Sequence, residues 1–456
     1  MENLNGILVA ISSMVWGVPL LVLLVGTGIF LTFKLRLLQV RKLLTGFKIA
    51  FTPSTCNDSE GDISQFQALM TALAATIGTG NIVGVSTAVV AGGPGALFWM
   101  WLSAFFGMAT KYAEAILAVR FRERKANGLM AGGPMYYIKN GMNSKWLASA
   151  FAFFGAFAAF GIGNMVQSNS VAMVVKENFG MSEVYTGVIL TVFTGLVVLA
   201  GIKGIGKATG VMVPAMATFY MAGGLIIIFM NLDKIPGVFS LILGDAFTGK
   251  AVAGGALGTV IRFGVARGVF SNEAGLGSAP IAAAAAKTDM PGRQALVSML
   301  GTFIDTIIVC SVTGIVVVMS GAWQDGEFNG AILTSNAFNS FLPGIGKYIV
   351  AIGLIFFAYS TILGWCYYGE KCFEYLVGVK AVIGYRIVYT LAVFVGAVSS
   401  LSVVWNLADI FNGLMAVPNL IALVALSGVV LEETKAFEVK LQEEKEYKVK
   451  ISEQEV

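Results

Sequence analysis

Apolar residues run in long blocks along most of this chain, separated by short polar connections that are often basic. Each block is about 20 residues or longer, enough for a helix to cross the hydrocarbon core of a bilayer. A transmembrane barrel would instead show short segments of strict in-out alternation. The pattern predicts eleven spans, at 8–33, 66–91, 94–119, 146–178, 183–202, 210–230, 255–286, 292–320, 346–377, 382–400 and 403–430. The expected fold class is an all-α polytopic membrane protein. The first block lacks a basic leader and reads as a retained span, not a cleaved signal. The stretch 431–456 is charged and mixed in sign, and reads as a solvated, partly helical tail.

Two spans violate the apolar rule at their centres. Span 2 carries Gly78-Thr79-Gly80-Asn81, and span 7 carries "GVFSNEAGLGSAP" at 268–280. An unpaired backbone group in hydrocarbon costs several kcal/mol, so a broken helix survives only where it is buried in protein or lines a cavity. With span 1 set aside as an accessory helix (1–52), the other ten form two sets of five, at 53–254 and 255–430. The broken helices open both sets and cross in opposite directions. Paired breaks at matching positions of inverted halves point to a transporter binding site near the midplane. An unwound midpoint exposes amides, which attract an anion, and carbonyls, which attract an alkali cation or an ammonium group. A site offering both suits a small zwitterion. The competing reading, glycines that merely let helices pack closely, explains one such motif better than two.

Charge placement sets the expected orientation. Same-side connections hold 18 Lys and Arg residues, from Lys34 to Arg386, against four (Lys176, Lys234, Lys250, Lys347) on the other side. By the positive-inside rule the amino terminus lies outside and the tail in the cytoplasm. Only 12% of the 456 residues are charged, against about 25% in soluble domains. The chain has no His, which removes the commonest general base and metal ligand. Its cysteines, Cys56, Cys310, Cys366 and Cys372, show no metal-ligand spacing.

The stretch 92–107, "GGPGALFWMWLSAFFG", resembles the signature of the alanine or glycine:cation symporter family, the sodium:alanine symporters. The stretches "AGGPMYYI" (131–138) and "RGVFSNEAGLGSAPIAAAAAKTD" (267–289) resemble that family too. The resemblance implies a leucine-transporter-like fold of five-plus-five inverted repeats, working as a secondary transporter that imports alanine or glycine with sodium, or in some cases protons. It places the substrate carboxylate at Gly78, Thr79 and Gly80, with Ala75 one turn earlier. Phe270, Ser271, Glu273 and Leu276 would bound the pocket and take the amino group. In span 9, "FFAYSTILGW" (356–365) falls at the sodium site of that fold. There Ser360 and Thr361 would give hydroxyls, and Phe357, Ala74 and Ile77 carbonyls. The partners implied are a small neutral amino acid, the co-transported sodium ion and the bilayer, with no nucleic acid and a functional monomer.

Other polar residues in the spans have both bland and functional readings. Asn164, Gln167 and Ser168 share one face of span 4. They are either interhelical glue or the side of the site. Trp365, one turn after Thr361, either packs or walls the pocket against large side chains. Trp99 and Trp101 read as packing or interface anchors. Glu273 faces the amine, carries a proton, or braces the break by accepting its free amides or bridging to Arg262 or Arg267. Lys111 and Glu114 read as a local ion pair in span 3. Asp305 and Asp409 need buried partners that the sequence does not name. A channel would need subunit rings around a pore, and an enzyme would need a catalytic constellation or a nucleotide loop. Neither is present in the sequence. The remaining alternatives are proton coupling or a different small neutral solute carried on the same fold.

Overall fold

The computed structural model describes residues 2–53, 58–247, 256–324, 328–399 and 402–454. The repeat boundary at 254–255, the last residue of span 10, Cys56 and Lys250 lie outside them. A helix, or a pair of helices, stands at each of the eleven predicted positions. Eight are long and apolar enough to cross a membrane: Asn5–Lys34, Ala96–Arg120, Lys145–Phe179, Gly201–Met230, Pro291–Ser320, Gly346–Val377, Val379–Val398 and Val403–Ala425. A ninth is span 2, the pair Gln65–Thr76 and Gly80–Gly92, bent by 52° at its break. The helices of span 5 (Glu183–Val198) and span 7 (Ala256–Asn272) are shorter, at 16 and 17 residues.

The packing follows the inverted halves. Span 2 packs on span 7, span 3 on span 8, span 4 on span 9, and span 5 on span 10. The cross pairs are also symmetric: span 3 meets span 7 as span 8 meets span 2, and span 4 meets span 11 as span 9 meets span 6. Spans 2, 3, 7, 8 and 9 therefore surround the centre, where span 3 is buried along most of its length from Ser103 to Val119. Apolar side chains on spans 5, 6 and 10, such as Leu196, Val211 and Ile387, point outward. That is the distribution expected when the surrounding solvent is lipid.

The connections hold structure that the hydropathy pattern does not announce. Helices Leu38–Arg41 and Leu43–Phe51 follow span 1, and a hairpin pairs Glu123–Arg124 with Met130–Ala131. Pro134–Gly141 precedes span 4, Ile235–Ala246 follows span 6, and Gly330–Phe341 precedes span 9. On the basic side, Ile63 pairs with Ala286, so the start of span 2 is stitched to the end of span 7. Asp62 N–H donates to Ala285 O, Lys287 N–H donates to Ile63 O, and the Arg122 guanidinium reaches Ala284 O and Ala286 O. Ser64 and Gln67 cap span 2 reciprocally.

The tail corrects the expectation of a solvated end. Helix Ser427–Gln454 buries Val430, Thr434, Phe437 and Leu441, spaced four, three and four apart, against spans 3 and 8. Its acids pair with basic residues of the body: Glu433 with Arg120 at 2.9 Å, Glu438 with Arg41 at 3.3 Å, and Glu444 with Arg293. The apolar stripe is only one residue wide, too narrow to stand out within so charged a segment.

Candidate functional site

Span 2 leaves helical geometry at Ile77, where ψ is 93°, and resumes in a wide π turn at Gly80–Gly84. The Gly78 amide donates to Asn81 Oδ1 at 2.9 Å instead of to Ala74 O, its helical acceptor four residues back. The Asn81 amide reaches Gly78 O at 3.3 Å instead of Ile77 O. The carbonyls of Ala74 and Ile77 are thereby released from the helix. Both meet Ser360 Oγ, at 3.1 and 3.3 Å, and Phe357 O lies 2.8 Å from the same hydroxyl. Thr361 Oγ1 donates to Phe357 O at 3.0 Å. One hydroxyl proton cannot satisfy three carbonyls at once. Five oxygens from two spans, on residues at most 2% exposed, form an acceptor-rich cluster that suits a hard cation.

Span 7 breaks differently. Glu273 takes a left-handed conformation (φ 57°), as do Gly275 and Gly277 (φ 91° and 83°), which turns the chain back before Pro280. Glu273 N–H keeps its helical bond to Val269 O. Beyond it, Ala274 N–H donates to Asn272 Oδ1, Leu276 N–H to Glu273 O, and the Gly275 and Gly277 amides to Glu114 Oε1 at 3.2 and 3.1 Å. Asn419 of span 11 donates to Glu114 Oε1 and to Gly275 O. Since the Ala274 and Gly275 amides are taken by side chains, the carbonyls of Phe270 and Ser271 lose their helical donors. The two breaks therefore offer opposite groups. The first turn of Gly80–Gly92 presents amides, and the end of Ala256–Asn272 presents carbonyls.

The breaks abut at Gly80, where a β-carbon would lie 3.0 Å from Ser271 Cα. At Gly78 it would lie 2.4 Å from Thr361 Oγ1, so only glycine lets span 2 approach the hydroxyl of span 9. Asp305, in the π turn Phe303–Cys310 of span 8, ties the breaks together. Its Oδ1 accepts from Asn81 Nδ2 at 2.7 Å, and its Oδ2 accepts from Ser271 at 2.9 Å and Thr306 at 2.8 Å. Gln167 reaches Thr79 Oγ1 at 3.3 Å from span 4, and its Oε1 has no partner among the described residues. Trp365 donates to Glu273 Oε1 at 2.8 Å, while Ser278 donates to Oε2. Trp365 packs over Gly163, where a β-carbon would lie 2.3 Å from Trp365 Cβ and 2.5 Å from the indole Cγ. Ala75 packs on Gly364, and Leu276 is fully buried in the second break. Phe270 lines a cavity of 140 Å³ with Arg267, Asp409 and Trp16, on the side away from the Ile63–Ala286 stitch.

Three sequence readings change. Glu273 does not bridge to Arg262 or Arg267, nor does it take the amides of the break: its oxygens are occupied by Trp365 and Ser278. The amides belong to Glu114. Nor do Lys111 and Glu114 form an ion pair. Glu114 Oε1 holds three donors from spans 7 and 11, while Glu114 Oε2 and Lys111 Nζ are both buried without a hydrogen-bond partner among the described residues. Asn164 donates to Tyr389 O of span 10 at 2.7 Å, an interhelical bond, and its Oδ1 has no partner among the described residues, while Gln167 lies at the break. Asn81, Glu114, Asp305 and Asn419 were not named as site residues. Asp305 and Glu114 carried the signal of an ionisable residue inside a span. Asn419 lies 305 positions from Glu114, with no local signal.

Comparison with known proteins agrees with this geometry. A profile of the sodium:alanine symporter family matches residues 1–451. The chain is 60% identical over 434 residues to the sodium/alanine symporter AgcS of Methanococcus maripaludis, covering 94% of this chain and 96% of that one. It is 37% identical to a probable sodium/glutamine symporter, GlnT, of Bacillus subtilis, covering 96% and 91%. Among solved structures, a manganese transporter of Eremococcus coleocola superposes with a TM-score of 0.54 at 13% identity, over 80% of this chain and 78% of that one. MhsT in complex with L-phenylalanine superposes with a TM-score of 0.50 at 14% identity, over 82% and 99%. These two likenesses establish the leucine-transporter-like fold. Matched along nearly its whole length, and built around two helices broken at the same depth, the chain is a secondary active transporter, not an enzyme, and belongs to the sodium:alanine symporter family.

Proposed function

We propose that this chain imports alanine, or a similarly small neutral amino acid, with sodium by alternating access, and that the two repeats (53–254 and 255–430) rock about the broken helices. The observation that carries this reading is the complementarity of the breaks. Amides at Thr79 and Gly80 face an α-carboxylate, carbonyls at Phe270 and Ser271 face an α-ammonium, and the acceptor cluster Ala74, Ile77, Phe357, Ser360 and Thr361 takes sodium beside them. The cluster touches the substrate side where Gly78 abuts the Thr361 hydroxyl, so a cation there rigidifies the loop that holds the carboxylate. That contact supplies a physical route for coupling. Trp365, fixed by Gly163 and Glu273, walls the pocket and favours a short side chain. The relatives named for alanine and for glutamine support a neutral amino acid as the substrate class. The basic connections support an outside amino terminus and a cytoplasmic tail.

Protein reconstituted into liposomes should accumulate labelled alanine above equilibrium only under an inward sodium gradient. Uptake indifferent to the gradient would refute coupling. The second reading, proton coupling, draws on the buried set Lys111, Glu114, Glu273 and Asp305. Replacing sodium by choline at fixed pH separates the two, since proton-driven uptake would persist.

A further inference from the structure

On the basic side of the membrane, outside the transport site, a cavity of 430 Å³ opens where the hairpin Glu123–Ala131 meets the start of span 4 and the end of span 9. Lys125, Lys139 and Lys145 line it, together with Ser149, Glu374 and Tyr375. Its charges do not cancel. Glu374 is neutralised by Lys371 at 2.8 Å, both side chains being buried. Lys125 and Lys139 share the single carboxylate of Glu123, at 2.8 and 3.4 Å. Burial works against that carboxylate, but hydrogen bonds from Lys125 and Asn140 and the nearby ammonium charges hold it at about 2, so it is fully ionised at neutral pH. Lys145 is exposed and makes no ion pair among the described residues. Three ammonium groups thus have only the one carboxylate of Glu123 to balance them, with the hydroxyls of Ser149 and Tyr375 alongside.

The apolar surface next to this pocket is continuous with it. Trp146 adjoins Lys145, and Phe153 and Phe157 follow at seven and eleven residues, on the same face of helix Lys145–Phe160. They are 78%, 44% and 50% exposed, and the rings of Phe153 and Phe157 lie 4.8 Å apart. Ser149 stands on that face between Trp146 and Phe153. A soluble anion would use only the lysines. A ligand with a phosphate at one end and long alkyl chains at the other uses the whole surface, and tryptophan at this level marks the headgroup boundary. Basic pockets beside membrane helices on the cytoplasmic side have the chemistry to hold phospholipid headgroups.

We propose that Lys125, Lys139 and Lys145 bind the phosphate headgroup of an anionic phospholipid, whose acyl chains lie along Trp146, Phe153 and Phe157. The test is native mass spectrometry of the full chain released from micelles supplied with equal phosphatidylglycerol and phosphatidylcholine. Wild type should retain phosphatidylglycerol in preference. The variant K125Q/K139Q/K145Q should lose retention roughly tenfold or more, given about a fivefold contribution per ammonium near an anionic headgroup. K203Q/K207Q, on the same side but outside the pocket, should match wild type. W146A should weaken lipid retention while leaving any effect of inorganic phosphate unchanged. If the triple variant does not elute as a folded protein, K145Q alone is read, with roughly fivefold loss expected. Undiminished phosphatidylglycerol retention by the lysine variant would overturn the proposal. So would full displacement of the lipid from wild type by millimolar inorganic phosphate, which would mark a soluble-anion site.

Discussion

Ser360→Ala isolates the proposed sodium cluster from everything around it. The substitution removes one oxygen, keeps the β-carbon and suits a helix interior. Ser360 Oγ lies within 3.3 Å of three carbonyls but, as a hydrogen-bond donor, can satisfy only one at a time. Losing it then costs about 0.5–1.5 kcal/mol, the worth of one net hydrogen bond. In the sodium-bound protein the same oxygen is one of five ligands to a full charge, a contact worth about 1.5–3 kcal/mol. The difference, about 1–1.5 kcal/mol, predicts a roughly tenfold rise in half-saturating sodium. The assay is the sodium activation curve of alanine uptake into proteoliposomes at saturating alanine. Apparent alanine affinity measured at saturating sodium should move by less than roughly threefold, since this hydroxyl does not face the substrate groups. Thr361→Ser, which keeps a hydroxyl, should stay near wild type. A folded Ser360→Ala protein with an unchanged sodium curve would refute the cluster as the cation site.

Gly78→Ala drives a β-carbon to 2.4 Å from Thr361 Oγ1, an overpacking cost of about 1–3 kcal/mol, so uptake should fall roughly tenfold. Wild-type uptake would mean that spans 2 and 9 do not abut there. Asp305→Asn keeps an acceptor for one neighbour but not for both Asn81 and Ser271. Sodium and alanine affinities should weaken together, each by roughly tenfold, from loss of a charge-assisted bond. A loss confined to one of them would show that Asp305 does not join the two breaks. Glu123 titrates at about 2 in the folded hairpin, below its ordinary 4.5, so its pairing adds stability above pH 4.5 that is lost as pH falls through 2. The difference in melting temperature between wild type and Glu123→Gln, present at pH 7, should vanish in that acid window.

The chain's own order determined more of this protein than is usual, because a bilayer allows few solutions. Long apolar blocks must be helices, since hydrocarbon offers the backbone no partner. A glycine pair beside Thr79, or an acid between Asn272 and Gly275, is then conspicuous. The breaks in spans 2 and 7 were legible for that reason, whereas the Ser360–Thr361 pair stood out only through the family resemblance. Which partner each polar side chain meets was decided by tertiary structure. Glu114 turned from its neighbour Lys111 to the amides of a helix 161 residues away. Asp305 found partners in both breaks, and Glu273 chose an indole over an arginine. Asn164 and Gln167, one turn apart, parted toward different spans. Hydropathy reports whether a residue is tolerated at a given depth. Which donor meets which acceptor depends on helix rotation and approach, set by glycines and π turns at contacts hundreds of residues apart, and no local pattern encodes those.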